Sequence, residues 1–310
     1  MSVGTNIKKR RFELRMTQQE LADAMGYKTR STIAKIESEE NDVSQKKLEK
    51  FARVLDTTVE VLITGYSVAA PMETAPADTP LKKTGTIAII LAGGKSGSNR
   101  QNVPAQFMSV NGKPLIVYPL EVYQSHPAVD SIYVVCQKGW ENIVRSYADQ
   151  YGITKLRGFV PAGRSGVASL KNAIDRLSPM CRDDDLIIVQ EATRPRVTAE
   201  TVSRLLQICS DKDSATIGHP MTDYVQFDLS GPTSRYLDRN SIIAMQSPEA
   251  HKFRLLRLLF ARAAAENHSL TESCCTMLLH HMGYSINFVK SHVNNIKVTS
   301  EEDFAGYSNK

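Results

Sequence analysis

Apolar residues recur at helical spacing through the first sixty positions, with Ile7, Phe12 and Leu14 on one helix and Leu21, Ala22 and Met25 on the next. Thr17-Gln18-Gln19-Glu20 has the form of a capping box, so a helix starts there, and Gly26 stops it. A third helix is expected from Thr29 or Arg30, turning Ser31, Thr32 and Lys35 outward and Ile33 and Ile36 inward. Two helices joined by a tight turn predict a helix-turn-helix over residues 1–66. From Ser67 to Thr84 the pattern disappears into Ala, Pro, Thr and Ser, with Pro71, Pro76 and Pro80, and too little apolar surface remains to order the segment. Residues 67–84 therefore read as a semi-extended linker.

Beyond Gly85 strand and helix patterns alternate. Strands are expected at Thr86–Leu91, Ser131–Cys136, Gly158–Val160, Leu186–Gln190 and Ser214–Ile217. Helices are expected around Pro114–Gln124, Glu141–Tyr151, Val167–Leu177 and Ala199–Cys209. Such a rhythm predicts an α/β domain over residues 85–310, with a mostly parallel sheet and helices on both faces. Ligands of such sheets sit at the carboxyl ends of the strands, where loops begin at Gly93, Pro161 and Glu191.

The first of these loops follows a short β-branched run and carries Gly93, Gly94 and Gly97. Glycines there either turn backbone N–H groups toward an anion or simply make a tight strand-to-helix turn. The spacing matches neither the P-loop nor the dinucleotide fingerprint.

Composition narrows the class. No apolar run approaches the roughly 20 residues of a membrane span, and the start Met1-Ser2-Val3-Gly4-Thr5 lacks a signal-peptide core, so a cytoplasmic protein with no membrane partner is expected. The five cysteines lack C-x-x-C spacing, which argues against a disulfide framework or a zinc site built on them. A net charge of +5 is too mild to identify a nucleic-acid binder, and residues 1–66 hold 12 Lys and Arg against 10 Asp and Glu. Only Lys8-Lys9-Arg10-Arg11 with Arg15 is locally dense, and it reads equally well as a solvated helix face.

Thr17-Gln18-Gln19-Glu20-Leu21-Ala22, Gly26-Tyr27-Lys28, Ser31–Glu37 and the closing Leu48, Phe51, Ala52 and Leu55 together resemble the Xre-type phage-repressor DNA-binding domain. The resemblance implies a recognition helix at about Arg30–Glu37 in the major groove of an operator, with Arg30, Ser31, Thr32 and Lys35 facing bases and nearby phosphates. Gln18 would anchor on a phosphate, with Lys28 and Thr29 near the same strand. A single domain of this size binds a half-site weakly, so operator binding implies a dimer.

A second resemblance covers residues 86–307. Leu91-Ala92-Gly93-Gly94, Pro104-x-Gln106-Phe107, Ala162-Gly163-Arg164 with Ser169, Glu191-Ala192-Thr193-Arg194-Pro195, Gln246-Ser247-Pro248, Leu270-Thr271-Glu272 and Asn295-Ile296-Lys297-Val298-Thr299 fall in the order seen in CTP:polyol-phosphate cytidylyltransferases. These act on methylerythritol 4-phosphate or ribitol 5-phosphate and have a Rossmann-like, nucleotide-diphospho-sugar transferase fold with a β-arm. The resemblance implies a nucleotide site at Leu91, Ala92, Gly93, Gly94, Gly97, Gly163 and Ser169. It places the polyol phosphate at Arg194, Asp223, Arg239, Ser247, Thr271 and Lys297. The arm, roughly residues 224–240, would exchange between subunits of a homodimer.

In that family an anionic phosphate oxygen attacks the α-phosphorus of CTP and pyrophosphate leaves, so catalysis is charge neutralisation and alignment. The catalytic positions would be Lys297, Arg100, Lys95 and Glu191, and Glu191 would be a weak magnesium ligand when nucleotide is bound. The chain departs from the family where triphosphate is gripped. Ala105 stands in the family's lysine position, Glu191 and Asn294 replace aspartates, and Gly166 replaces an arginine, with Arg164 displaced from it. Arg100 or Asn99 falls at the loop arginine, and Lys95 is an extra cation. Two functions follow: a DNA-binding regulator that senses CTP, a CDP-polyol or a polyol phosphate with weak or lost catalysis, or an active bifunctional cytidylyltransferase. In a third, the front domain binds protein or is a remnant.

Overall fold

The computed structural model describes residues 3–41, 43–64, 85–94, 103–221, 226–228, 230, 235–291, 295–299 and 303. The expected linker at 67–84 and the candidate residues Lys95, Gly97, Arg100, Asp223 and Asn294 lie outside them, and of Arg239 only the backbone is described.

The N-terminal unit is a helical bundle of α1 (Val3–Glu13), α2 (Gln18–Ala24), α3 (Arg30–Glu37), α4 (Gln45–Val54) and α5 (Val59–Thr64). The expected capping box starts α2: Thr17 Oγ1 accepts from Glu20 N at 3.2 Å, and Thr17 N donates to Glu20 Oε2 at 2.7 Å. Gly26, at φ +73°, lets the chain leave the helix in a left-handed turn that a side chain would strain. Ile7, Leu21, Ala22, Met25, Ile33, Ile36, Leu48, Phe51, Leu55 and Leu62 form one core. Two expected positions differ. Phe12 is 60% exposed under the Arg11 guanidinium, and Leu14 lies past the end of α1 in the following turn, because α1 turns Gly4, Asn6, Ile7 and Arg11 inward.

The second unit begins at β1 (Thr86–Ala92), passes a small antiparallel pair, β2 (Ser109–Val110) with β3 (Lys113–Pro114), and continues through α6 (Val117–Ser125), β4 (Ser131–Cys136), α7 (Glu141–Gln150) and β5 (Leu156–Pro161). Next come α8 (Gly166–Leu177), β6 (Leu186–Glu191), α9 (Ala199–Lys212) and β7 (Ser214–Pro220). A separate two-stranded hairpin, β8 (Gln226–Asp228) and β9 (Arg235–Leu237), stands where the β-arm is expected. The chain returns through β10 (Ile243–Lys252), α10 (Phe253–Ala265), α11 (Cys275–His281) and β11 (Phe288–Lys290).

Seven strands form one sheet in the order β11-β7-β10-β6-β1-β4-β5. Only β10 runs against its neighbours, β6 and β7, so the sheet is mostly parallel as expected. The two-residue period of β1 divides the core between the faces. Ala88 and Ile90 pack with Leu120, Val144 and Leu205 of α6, α7 and α9, while Ile87 and Ile89 pack with Leu170, Leu256 and Leu278 of α8, α10 and α11. Ile63 of α5 also lies against the first of these cores, so the helical bundle rests on the α/β domain. All five cysteines are free, and no helix among the described residues is long and apolar enough to cross a membrane.

Candidate functional site

In the helix-turn-helix, α3 buries Ile33 and Ile36 and leaves Arg30, Ser31 and Lys35 exposed, with Thr32 at its edge. Lys28 and Thr29, just before it, are exposed too. Gln18 and two arginines of the basic cluster hold partners within the bundle. Gln18 donates its side-chain amide to Glu37 Oε2 at 2.9 Å, which ties the start of α2 to the end of α3. Arg11, from the basic cluster, is almost fully buried and grips both oxygens of Glu37, at 2.6 and 2.9 Å. It is a structural pin. Arg10 likewise spends its guanidinium on Glu13 and on the carbonyls of Leu55 and Asp56. The density of the cluster in sequence concealed that two of its charges serve the bundle.

The candidate α/β residues gather at the carboxyl ends of β1, β5 and β6, where the loops after those strands begin. The Gly93-Gly94 turn is held by glutamines: Gln106 Nε2 donates to the carbonyls of Ala92 (2.7 Å) and Gly94 (3.1 Å), and Gln137 Nε2 to that of Gly93 (3.0 Å). A Cβ on Gly93 would come within 2.4 Å of the Ala162 methyl, so this glycine is demanded by close packing of the β1 and β5 loops. Ser169 accepts from Gly163 N at 2.9 Å, joining the second loop to α8. The carbonyl of Leu91 is taken by Ala192 N. Ala105 is fully buried in a short 3-10 turn, Ala105–Phe107, and Phe107 stacks on Trp140 with ring centroids 4.3 Å apart.

At the end of β6 the charged residues converge. Lys297 Nζ lies 2.5 Å from Glu191 Oε1, and Arg194 Nε closes on Glu191 Oε2. Burial by itself pushes the Glu191 carboxyl up, but the two cations outweigh it and hold the group below its ordinary value. Asn295, buried and not anticipated as a site residue, organises the cluster with every polar atom it has. Its backbone carbonyl accepts from Arg194 Nη1 (2.8 Å), its Oδ1 from Arg196 N (2.8 Å), its Nδ2 donates to the carbonyl of Ser247 (3.0 Å), and its N donates to Gln246 Oε1 (3.2 Å). Ser247 Oγ accepts from Glu191 N at 3.0 Å, so this hydroxyl anchors the β6 end. Gln190, also missed, donates to the carbonyl of Glu191 and receives the Tyr123 hydroxyl at 2.9 Å. Its place inside an apolar strand was the available signal, since a buried amide must find partners. Thr271 is exposed on the loop between α10 and α11, away from these hydrogen bonds.

A family model described as 2-C-methyl-D-erythritol 4-phosphate cytidylyltransferase matches residues 86–308. The chain belongs to that family. A second model, described as helix-turn-helix, matches residues 7–62. Ribitol-5-phosphate cytidylyltransferase of Lacticaseibacillus paracasei is 30% identical over 220 residues, covering 70% of this chain and 94% of its own. A 2-C-methyl-D-erythritol 4-phosphate cytidylyltransferase of Geotalea uraniireducens is 26% identical over 70% of this chain and 92% of its own. Among solved structures, 4-diphosphocytidyl-2C-methyl-D-erythritol synthase of Anaerococcus prevotii superposes with a TM-score of 0.61 at 18% identity, covering 73% of this chain and 97% of that one, which establishes the fold.

Family membership raises the question of magnesium. A hard dication needs several oxygen ligands. Glu191 has both oxygens on cations, and no second carboxylate joins it at this cluster among the described residues. Among the described residues Glu191 thus keeps no oxygen clear of a cation for magnesium, and Asn294, the other changed carboxylate position, lies outside them.

Proposed function

We propose that the protein is a DNA-binding transcription regulator whose cytidylyltransferase-family domain binds a polyol phosphate or cytidine nucleotide with little or no turnover. The observation that carries this reading is the asymmetry of the α/β site. Two cations, Arg194 and Lys297, are kept at the polyol-phosphate end, while the position of the family's triphosphate lysine is the buried Ala105.

The chemistry follows from that asymmetry. Transfer from CTP builds charge on the leaving pyrophosphate, and a site lacking one preorganised donor loses roughly 10²–10³ in rate. Binding of a phosphate monoester needs only the other end. An incoming phosphate competes with Glu191 for Arg194 and Lys297, so ligand occupancy frees a carboxylate on the β6 loop. With α5 resting on the α/β core and an arm-like hairpin available for dimerisation, such a change can alter how two recognition helices are presented to an operator. Magnesium would enter as the counter-ion of a triphosphate.

The test is operator affinity, measured by fluorescence anisotropy on DNA from the protein's own locus, with and without saturating CTP, ribitol 5-phosphate or methylerythritol 4-phosphate. An affinity that is unchanged by every ligand removes the sensing role, and failure to bind any such DNA removes the regulator reading altogether. A second reading, an active bifunctional enzyme, is favoured by the 30% identity to ribitol-5-phosphate cytidylyltransferase across 94% of that protein. In it the ribitol phosphate oxygen forms a bond to the α-phosphorus of CTP while the bond to pyrophosphate breaks. Pyrophosphate release measured with both polyol phosphates decides; its absence, even after Ala105→Lys, leaves the regulator.

A further inference from the structure

A cluster of His268, Glu272 and His281 shares none of the hydrogen bonds of the Glu191 site. His268 and Glu272 lie on the loop after α10, and His281 ends α11. Glu272 Oε1 sits 2.6 Å from His268 Nε2 and 3.1 Å from His281 Nδ1. The three ligand-type atoms all lie within 4.8 Å of one another. The carboxylate side chain is 95% buried (5% exposed), whereas the two rings reach solvent, at 29% and 47% exposure.

The second carboxylate oxygen carries the argument further. Glu272 Oε2 is buried and has no hydrogen-bond partner. A buried carboxylate oxygen left unmatched is costly, and two imidazole N–H groups sharing the other oxygen do nothing for it. A cation held by both oxygens and by two imidazoles would satisfy all four atoms at once. Two histidines with one glutamate, one side open to water, form a three-ligand set suited to zinc, with ligand distances of about 2.0–2.2 Å. Tetrahedral ligands at those distances lie about 3.3–3.5 Å apart, so Glu272 Oε1 and His268 Nε2, now 2.6 Å apart, would separate by roughly 0.7 Å, a shift of the size that the exposed imidazole rings can make.

We propose that His268, Glu272 and His281 bind one zinc ion, at a site distinct from the phosphate-binding cluster. The site would brace the loop that supports α8. Val167 N donates to the carbonyl of Glu272 (3.2 Å), Ser165 Oγ to that of Leu270 (2.6 Å), and a Cβ on Gly166 would fall 1.8 Å from the carbonyl oxygen of Ser273. The same loop presents Thr271. Zinc would therefore brace the start of α8 and the loop that carries Thr271, and the proposal holds whether or not the domain turns over CTP.

Chelator-stripped full-length protein titrated with Zn2+ by calorimetry should take up one ion per chain. His268→Ala combined with His281→Ala should weaken that uptake by more than about 100-fold, and Glu272→Gln should weaken it as well, while circular dichroism remains native. With Co2+ as probe, visible d–d absorption should appear without a thiolate charge-transfer band, and it should survive Cys274→Ser with Cys275→Ser. Absence of a saturable site in the unmodified chain, equal affinity in the double-histidine variant, or a thiolate band would each overturn the proposal.

Discussion

Two carboxylates in this protein each bridge two side chains, and the surroundings make them opposites. Glu37 joins Arg11 and Gln18 inside the helical bundle, with Glu37 and Arg11 side chains only 3% and 5% exposed. Glu191 joins Arg194 and Lys297 at the carboxyl end of the central strand β6, where Lys297 is 43% exposed. A sealed pair is rigid because no outside ion can replace either partner, and losing one leaves a charge stranded in low dielectric. A pair at the water boundary gains less and can be displaced. The same motif is thus a rivet in one domain and, under the proposed function, an exchangeable counter-ion in the other.

The comparison can be broken in order of effect. Arg11→Ala strands Glu37 and should cost the bundle about 3–5 kcal/mol, enough to unfold α1–α5 while the α/β sheet persists. Denaturant unfolding followed by amide exchange in each domain measures this, and a loss under about 1 kcal/mol would make the pair a surface-type contact. Lys297→Ala removes a charge-assisted donor worth roughly 1.5–3 kcal/mol, so phosphate-ester affinity should fall by roughly 10- to 150-fold in calorimetry. An unchanged affinity would move the ligand elsewhere.

Glu191→Gln is the sharper variant. It frees both cations, and ribitol 5-phosphate should bind roughly tenfold tighter, a gain of about 1.4 kcal/mol; weaker binding would show that Glu191 organises the pocket instead of competing in it. The stability change in Lys297→Ala should stay within about 1 kcal/mol, unlike Arg11→Ala. The smallest effect is electrostatic. Glu191 is held below 4.5, so its contribution to stability is complete above that pH and is lost as pH falls through the depressed folded value. Carboxyl carbon NMR should show Lys297→Ala moving the titration upward, and no movement would mean that Lys297 does not reach Glu191 in solution.

Much of this architecture is legible from pattern. The start of α2 at Gln18, the span Arg30–Glu37 and the strand Ser131–Cys136 follow from a capping box, a 3.6-residue period and a β-branched run, all of which are local signals. The antiparallel β10 was not legible, because Gln246, Ser247, Pro248, Glu249 and His251 break its apolar run and strand direction is a property of the whole sheet. At the site, Glu191, Arg194 and Lys297 were legible as charged residues in motif positions. Asn295 and Gln190 were not, since Asn295 bonds segments 48 to 101 residues away and Gln190 takes the Tyr123 hydroxyl from 67 residues away.

The sequence by itself determined the two-domain order, the alternation of strands and helices, the exposed face of α3 and the alanine at position 105, since each depends on residue identity and short-range periodicity. Only the tertiary structure decided which charges are spent. Arg11 and Glu37 lie 26 residues apart and Glu191 and Lys297 106 apart, and chain folding alone sets both their meeting and the depth at which they meet. Depth fixes the local dielectric, and the dielectric decides whether an ion pair is a permanent fastening or a place for a ligand.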